Sequence, residues 1–265
     1  MRLAQQLVGL FPKHSLYVSP FVGTASEFAF KEPCRREIIG DKDENVYSVF
    51  AVLRDNRLFK RLIHLLENSN DSRRLYEESF GKLDQKNISI LERAYRFLIV
   101  GNLGYQGRHP LIAKSYSTGL PRKRRLATLL PAVHAWRDRM RLVECENRDA
   151  IELIDMYDSP DTFMFLDPPY HEATRERQLY VHDTCDHRQL VKRLQRLQGR
   201  AMLCGYRHGL YDTQLLGWRR VAIPMTKCFG RRVPRSEIVW MNYDENGDKL
   251  TQDLELIEAF ERLPA

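Results

Sequence analysis

The stretch that most constrains how this chain can fold is an apolar run that ends in an acid, two prolines and an aromatic residue. It covers Thr162–Tyr170 and has the sequence TFMFLDPPY. Consecutive apolar residues bounded by Asp-Pro are typical of a short strand that is buried on both faces, as in the middle of a parallel sheet. The two prolines then stop the strand, because neither has an N–H to donate. The pattern predicts Asp167 at the end of a central strand, with Tyr170 on the same stiff turn.

The predicted turn suits a reaction at the exocyclic amine of a nucleobase. Open α/β sheets bind their ligands in the crevice beyond the carboxyl ends of the strands. An exocyclic amine is a poor nucleophile, because its lone pair is delocalised into the ring. Asp167 Oδ and the Pro168 carbonyl can each accept one N–H, which favours a tetrahedral nitrogen, and Tyr170 can stack on the base. An isolated Asp-Pro pair would more often be a strand-ending turn with a surface acid, but the full motif is more specific.

Asp-Pro-Pro-Tyr after a buried strand resembles the catalytic motif of the DNA N6-adenine methyltransferases, and the order of motifs resembles the Dam-like (alpha) group. The resemblance runs from about Tyr17 to Asn242. It implies an α/β fold, the class I S-adenosylmethionine-dependent methyltransferase (Rossmann-like) sheet with a helical target-recognition insert. The implied reaction moves a methyl group from S-adenosylmethionine to a flipped-out adenine in DNA, leaving S-adenosylhomocysteine, without a metal. The implied catalytic residues are Asp167, Pro168, Pro169 and Tyr170.

The resemblance and a change in sequence pattern divide the chain into two predicted domains. Residues 1–54 and 134–265 are expected to form the catalytic domain. Residues 55–133 are expected to form the helical insert, because the segments 58–66, 74–80 and 88–100 have helical spacing and β-like runs are scarce there.

A second motif follows a short β-like run that ends at Val18. A strand, a Gly-containing turn and a helix over 27–31 would meet a nucleotide-like ligand with backbone N–H groups, although an ordinary strand–turn–helix has the same pattern. The corresponding family segment is Asp/Glu-Pro-Phe-x-Gly-x-Gly, which implies that Pro20, Phe21 and Gly23 line the S-adenosylmethionine pocket. Ser19 replaces the acid and Ala25 replaces the second glycine.

These two departures, and the lack of a convincing upstream Gly-Lys segment, leave weak, altered or lost cofactor binding as an alternative. The chain would then be a DNA-binding pseudomethyltransferase. A rival within the enzyme class is methylation of RNA adenine or of cytosine N4.

Three further acids are predicted to bind the cofactor. Asp41 follows the predicted second strand, where a carboxylate commonly takes ribose hydroxyls, although it could equally be the N-cap of the helix through 46–53. Asp149 matches a family position that contacts the cofactor's adenine, and it could also cap the helix over 150–156. Asp167, in the catalytic turn, completes the set.

The region around the insert is strongly basic and is predicted to bind DNA. Residues 108 to 141 include nine Lys and Arg residues and a single acid, Asp138. These cations could neutralise several phosphates, although a solvated basic face is the alternative. Asn102 is predicted on a Gly-rich loop that reaches base edges. Tyr206, at the end of an apolar strand, is predicted to wall the target-base pocket with Tyr170, or only to pack there. The remaining predicted DNA contacts are Tyr105, Gln106, Arg108, Arg122, Lys123, Arg124, Arg125, Arg175, Arg177, Arg231 and Arg232.

Composition limits the location and the partners of the protein. The net charge of +7 suits a polyanionic partner, here double-stranded DNA. Five cysteines without a C-x-x-C pair indicate reduced thiols in a cytoplasmic protein. We expect no secretory signal and no membrane partner. His182, Cys185 and His187 have no fourth ligand at a suitable spacing, so no zinc site is predicted. A restriction endonuclease partner is left open.

Overall fold

A computed structural model describes residues 3–104, 125–171, 185–224 and 236–250 of the chain. These residues form two compact units. Unit 1 contains residues 3–40, 148–171, 185–224 and 236–250. Unit 2 contains residues 41–104 and 125–147, which include the described part of the predicted insert.

In unit 1, strands and helices largely alternate, as expected for an α/β chain. The described strands are β1 Leu16–Ser19, β2 Arg36–Gly40, β3 Glu144–Glu146, β4 Thr162–Leu166, β5 Arg200–Gly205, β6 Arg219–Pro224 and β7 Ser236–Met241. The described α-helices are α1 Leu3–Val8, α2 Glu44–Arg54, α3 Asn56–Glu67, α4 Arg73–Leu83, α5 Ile90–Leu103, α6 Arg125–Met140, α7 Ala150–Tyr157, α8 His187–Leu194 and α9 Gly209–Gln214. Strand β3 and helices α2 to α6 belong to unit 2, and the other elements belong to unit 1.

The strands of unit 1 lie in the order β2-β1-β4-β5-β7-β6. The first four are parallel, and β7 is antiparallel to both β5 and β6. All five residues of β4 are buried, and β4 pairs in parallel with β1 on one side and β5 on the other. The prediction of a central parallel strand at 162–166 is therefore confirmed. Strands β6 and β7 pair along six residues each, from Arg219–Met241 to Pro224–Ser236.

Alternation along β1 and β4 sends apolar side chains to both faces of this sheet. On one face, Val18, Met164 and Leu166 lie in a core cluster. The same cluster contains Ile154 of α7 and Leu190, Val191 and Leu194 of α8. On the other face, Phe163 packs its ring 4.8 Å from that of Phe11 and 5.9 Å from that of Tyr17. Each buried side chain of this size contributes about 1.5–3 kcal/mol. The sheet is thus anchored on both sides, and the turn after β4 starts from a rigid position.

Unit 2 consists mainly of helices whose starts are capped by short polar side chains. Asp43, Asp55, Ser72 and Ser89 each accept a backbone N–H in the first turn of α2, α3, α4 and α5. The buried Arg93 donates to Asn45 Oδ1 at 3.2 Å and to two backbone carbonyl oxygens near the end of α4. Arg93 therefore holds α2 and α5 to the α4–α5 connection.

Three local predictions differ from the structure. The helix expected over 27–31 is a short 3₁₀ helix at Ser26–Ala29. Asn102 lies in the last turn of α5, because the helix continues to Leu103 before Gly104 ends it, so the prediction that Asn102 lies on a loop is wrong. Arg137, one of the nine basic residues, is buried and donates to Leu53 O and Asn56 Oδ1, so it serves the packing of unit 2. Within the described residues, no helix is both long enough and apolar enough to span a bilayer.

Candidate active site

The predicted catalytic turn lies at the carboxyl end of β4. The Asp167 residue is exposed, Pro168 is buried, and Pro169 and Tyr170 are half-buried. The prolines have no N–H to give, so the ladder cannot continue past Leu166. Asp167 and the Pro168 carbonyl therefore belong to one rigid turn at the edge of the sheet where ligands of open α/β folds bind.

Tyr170 is fixed by contacts at its hydroxyl and at its ring. Its hydroxyl donates to Glu237 Oε1 at 2.6 Å. Its ring centroid lies 4.6 Å from that of Tyr206, with the two planes at 73°, which is the edge-to-face geometry that aromatic pairs favour. Tyr206 directly follows β5, and Glu237 lies on β7. Neighbouring strands thus hold the aromatic ring beside Asp167. The role of Tyr206 as a wall of the base pocket stays a prediction.

The carboxyl groups around this turn have pKa values above those of free side chains. Burial raises the pKa of Glu237, which is 1% exposed, to about 8; the Tyr170 hydrogen bond lowers it and the charge of Asp167 raises it. Desolvation by surrounding protein also raises the pKa of Asp167, and the nearby Tyr170 hydroxyl opposes that rise. Because the Asp167 residue is exposed, water reaching it limits the size of the effect. Within the described residues, neither carboxylate forms an ion pair with a basic side chain.

The loop after β1 has the backbone geometry of a glycine-rich turn. The Val22 N–H donates to Gly40 O at 3.0 Å, which ties the loop to the end of β2. Gly23 has φ +48° and a Cβ there would meet no atom within 4 Å, so the surface above it is open. Ala25, at the second glycine position, is buried and also has a left-handed backbone with φ 52°. An L-residue pays about 1–2 kcal/mol for that conformation, so the loop keeps a glycine-like shape against the preference of alanine.

Pro20, Phe21 and Gly23 all lie on this loop, as predicted from the motif. Pro20 is buried, and Phe21 is partly buried against the core cluster. These two residues therefore fix the loop to the sheet. Contact of all three with the cofactor stays a prediction.

Glu27, which the sequence did not single out, is a buried acid beside this loop. It is 4% exposed and its Oε1 accepts the Tyr17 hydroxyl at 3.1 Å. The pKa of Glu27 is raised to about 7, mainly by burial and also by the charge of Asp167, against the lowering effects of its own backbone N–H, the Tyr17 hydroxyl and the nearby Ser19 hydroxyl. The only sequence signal was an acid placed next to Phe28 at the start of a short helix. Glu237 was missed for a similar reason, since its sequence context is an acid at the start of an apolar run.

Two predicted cofactor residues make local hydrogen bonds. Asp41 Oδ1 accepts the Asp43 N–H at 2.9 Å, and Asp43, not Asp41, is the N-cap of α2, so the alternative that Asp41 caps this helix is wrong. Asp149 Oδ1 accepts the Ile151 N–H at 3.0 Å and caps α7, as the alternative reading expected. The cofactor contacts of Asp41 and Asp149 stay predictions.

Most of the predicted DNA-binding residues lie outside the described residues. For Arg125 only the backbone is described, as the first residue of α6. In the ranges that the structure does describe, no group of three or more His, Cys, Asp or Glu side chains is arranged to hold a metal ion. The residues that fall outside are Tyr105, Gln106, Arg108, Arg122, Lys123, Arg124, Arg175, Arg177, Arg231 and Arg232.

A mostly parallel sheet with an acid and an aromatic residue after a central strand defines an α/β enzyme that binds its ligand at the strand ends. The model of the D12 class N6 adenine-specific DNA methyltransferase family matches residues 1–203. The chain belongs to this family and is an adenine methyltransferase. The predicted class I methyltransferase fold is confirmed.

Comparison with solved structures finds an rRNA methylase from Streptococcus thermophilus. The two chains align with a TM-score of 0.35 and 9% sequence identity, over 94% of this chain and 96% of that one. A comparison with curated protein sequences finds no match.

Proposed function

We propose that the chain transfers a methyl group from S-adenosylmethionine to N6 of an adenine that has been flipped out of duplex DNA. The observation that carries this proposal is the turn after β4, where Asp167 is exposed next to a Tyr170 ring that Glu237 and Tyr206 hold in place. Membership of the family supports adenine N6 as the acceptor and DNA as the substrate.

The loop after β1 fits S-adenosylmethionine in shape and charge. The open surface above Gly23 leaves room for a ligand close to the backbone. The cofactor carries a sulfonium and an ammonium group, and the acids Glu27 and Asp167 interact electrostatically with each other in the same unit. A cation between or beside two such acids is stabilised by both. In unit 1, the residues that would hold the cofactor are Pro20, Phe21, Gly23, Asp149 and Asp167.

The side chains of the catalytic turn act on the amine. S-adenosylmethionine, when bound, supplies an activated methyl group. Asp167 Oδ and the Pro168 carbonyl accept the two N–H bonds of adenine N6, which directs the lone pair out of the ring plane. Tyr170 stacks on the base and keeps it still, and the tether to Glu237 limits its movement. The rate would come mainly from this positioning and from the two acceptors. The nitrogen loses a proton readily once it has become cationic, so a strong base is not required.

DNA binding must offset the cost of flipping, which is a few kcal/mol per base. Phosphate contacts from Arg108 and Arg122–Arg125, with Arg175, Arg177, Arg231 and Arg232, would supply that energy and make binding dependent on salt. Tyr105 and Gln106 are the proposed contacts to base edges. A restriction endonuclease partner stays a prediction.

One rival proposal is a DNA-binding pseudomethyltransferase, which the replacements at Ser19 and Ala25 motivate. The left-handed Ala25 favours the enzyme over this rival, because the backbone shape of the cofactor loop is kept. RNA adenine and cytosine N4 are the rival acceptors.

The test uses labelled S-adenosylmethionine with mixed-sequence duplex DNA or RNA, followed by digestion to nucleosides. We expect label in N6-methyladenine from DNA, and its loss in Asp167→Ala. The matched control is Asp161→Ala, an exposed acid immediately before the other end of β4. Label in N4-methylcytosine or only in RNA would replace the proposed acceptor. An absence of label together with bound DNA would favour the pseudomethyltransferase.

A further inference from the structure

Glu27 is a buried acid without a basic partner in the described part of the protein. It lies in the 3₁₀ helix that directly follows the loop after β1, and it is 4% exposed. A buried carboxylate is normally paired with a cation or well supplied with hydrogen bonds, because its charged form is costly away from water. The nearest lysine in the sequence, Lys31, forms an ion pair with a different acid, with its ammonium 2.7 Å from Glu37 Oε1. Within the described residues, the Glu27 charge therefore has no cation to compensate it.

In the described part of the chain, the groups that interact with Glu27 add negative charge or hydrogen bonds, and none forms an ion pair with it. Tyr17 on β1 donates its hydroxyl to Oε1 at 3.1 Å. The Lys31 ammonium lies 4.6 Å from the Tyr17 ring centroid and pairs with Glu37. Asp167, after β4, raises the pKa of Glu27, and the Cys204 thiol on β5 has its own pKa raised by burial and by the charges of Asp167, Glu237 and Glu27. The surroundings thus favour a positively charged ligand.

Ser19 gives a second, independent indication that a ligand binds here. Its side chain is fully buried, and its hydroxyl oxygen has no hydrogen bond of normal geometry within the described residues. The hydroxyl is close enough to Glu27 to lower the pKa of that carboxyl. A buried hydroxyl without a partner costs about 1–3 kcal/mol, so a polar group of a ligand at this position would remove a penalty. Ser19 also stands where the family pattern has an acid.

We propose that Glu27 binds the ammonium group of the methionine end of S-adenosylmethionine, and that it supplies from the helix the carboxylate that is missing at position 19. This inference rests on the proposed function. A charge-assisted hydrogen bond from an ammonium to a buried carboxylate is roughly twice as strong as a neutral one. The Ser19 hydroxyl, beside Glu27, accepts or donates a second bond to the same end of the ligand.

The test measures binding by titration calorimetry of the full chain and of Glu27→Gln, which keeps the size and the Tyr17 hydrogen bond but removes the charge. Three ligands are compared: S-adenosylmethionine, S-adenosylhomocysteine, which has the ammonium without the sulfonium, and 5′-methylthioadenosine, which has neither. We expect Glu27→Gln to weaken the first two by at least about tenfold and to leave the third unchanged. The matched control is Glu32→Gln, an exposed acid a few residues along the chain.

Proton release gives a readout independent of affinity. At pH 6.5 Glu27, with a pKa of about 7, is mostly protonated, and a bound ammonium would lower that pKa. Titration in two buffers with different ionisation enthalpies should show that S-adenosylmethionine releases more protons from the wild type than from Glu27→Gln. The expected difference is about half a proton or more.

Each outcome decides the assignment. A tenfold loss confined to the two ammonium-bearing ligands, with the difference in proton release, would support it. Equal weakening of all three ligands would make Glu27 a structural residue only, and unchanged affinities would exclude it from the site; both overturn the inference while leaving the methyltransferase intact. Wild-type protein that binds DNA but not S-adenosylmethionine would overturn the proposed function itself.

Discussion

The turn after β4 and the loop after β1 follow neighbouring parallel strands, yet they relate to their motifs in opposite ways. The turn keeps every residue of Asp-Pro-Pro-Tyr, whereas the loop has lost an acid at Ser19 and a glycine at Ala25. The loop nevertheless has a left-handed backbone at both Gly23 and Ala25, and an acid close by at Glu27.

The difference follows from what each segment contributes. A turn that acts through a particular carboxylate and a particular carbonyl cannot change its residues without changing its chemistry. A loop that binds through its backbone shape and through local charge can keep both while its residues change. A turn that tolerates substitution, or a loop that does not, would contradict this difference between the two segments.

The largest effect is expected in the turn, from Asp167→Asn. This change keeps the size of the side chain and one oxygen acceptor but removes the negative charge that stabilises the cationic nitrogen. We expect kcat to fall by at least about 100-fold. The affinity for S-adenosylmethionine, measured by calorimetry, should also fall, but by a smaller factor, because Glu27 still offers a negative charge to the cofactor. Asp161→Asn is the matched control, and a variant at Asp167 with nearly full turnover would show that the turn is as tolerant as the loop.

A smaller effect is expected on the free energy of unfolding, whose pH dependence should include a contribution from Glu27, next to the loop after β1. The folded-state pKa of Glu27, about 7, lies above its ordinary value of 4.5. The folded state therefore binds more protons than the unfolded state between these values, and stability is lost as the pH rises through 7. Glu27→Gln removes this loss. Relative to wild type it should gain about 2 kcal/mol in the free energy of unfolding between pH 5 and pH 8.

The measurement is urea unfolding of both proteins, without ligand, at the two pH values. Glu32→Gln, which changes an exposed acid, should show no such gain. A parallel pH dependence of wild type and Glu27→Gln would mean that the Glu27 charge is not buried at a cost. A ligand would then have no costly buried charge at Glu27 to compensate.

The sequence predicted the part of the site that lies on one continuous segment. Four apolar residues before Asp-Pro-Pro placed β4 in the centre of the sheet, and Asp167 and Tyr170 at its end, because local sterics alone specify that turn. Glu237 could not be found in this way, since it reaches Tyr170 only through the antiparallel pairing of β7 with β5. Glu27 was missed because its burial depends on how the 3₁₀ helix packs beside Tyr17. Asn102 was placed on a loop because Gly101 looked like a helix end, whereas α5 continues through it.

The hydrogen bond between Tyr170 and Glu237 should give a moderate coupling energy in the free energy of unfolding. Tyr170→Phe keeps the ring but leaves the buried Glu237 carboxyl without its donor, and the penalty for such a group is about 1–3 kcal/mol. Glu237→Gln keeps an acceptor without the charge. In a double-mutant cycle by urea unfolding at pH 9, where Glu237 is mostly ionised, we expect a coupling energy of about 1–2 kcal/mol.

Lowering the pH sharpens this test. Below a pH of about 8 Glu237 becomes protonated, and a neutral acceptor forms a weaker bond than a charged one. The coupling energy should therefore be smaller at pH 6 than at pH 9. Tyr47→Phe, which removes a hydroxyl from the other unit, is the matched control and should show no coupling to Glu237→Gln. Additive effects of the Tyr170 and Glu237 changes at both pH values would show that the hydrogen bond does not hold the ring.

The smallest effect is expected at Ala25, where the loop departs from its motif at the level of the backbone. Ala25→Gly relieves the left-handed strain of about 1–2 kcal/mol, but it also removes a buried methyl group and loosens the unfolded chain. These contributions oppose each other, so the free energy of unfolding should change by less than about 1 kcal/mol. Because the wild-type loop already has the shape that glycine would adopt, the affinity for S-adenosylmethionine should stay within about threefold.

Ala29→Gly, in the exposed last position of the 3₁₀ helix, is the control for a glycine without relief of strain, and it should only destabilise. A gain of tenfold or more in affinity from Ala25→Gly would mean that the alanine does impair the loop, and that backbone shape alone does not compensate for the lost glycine.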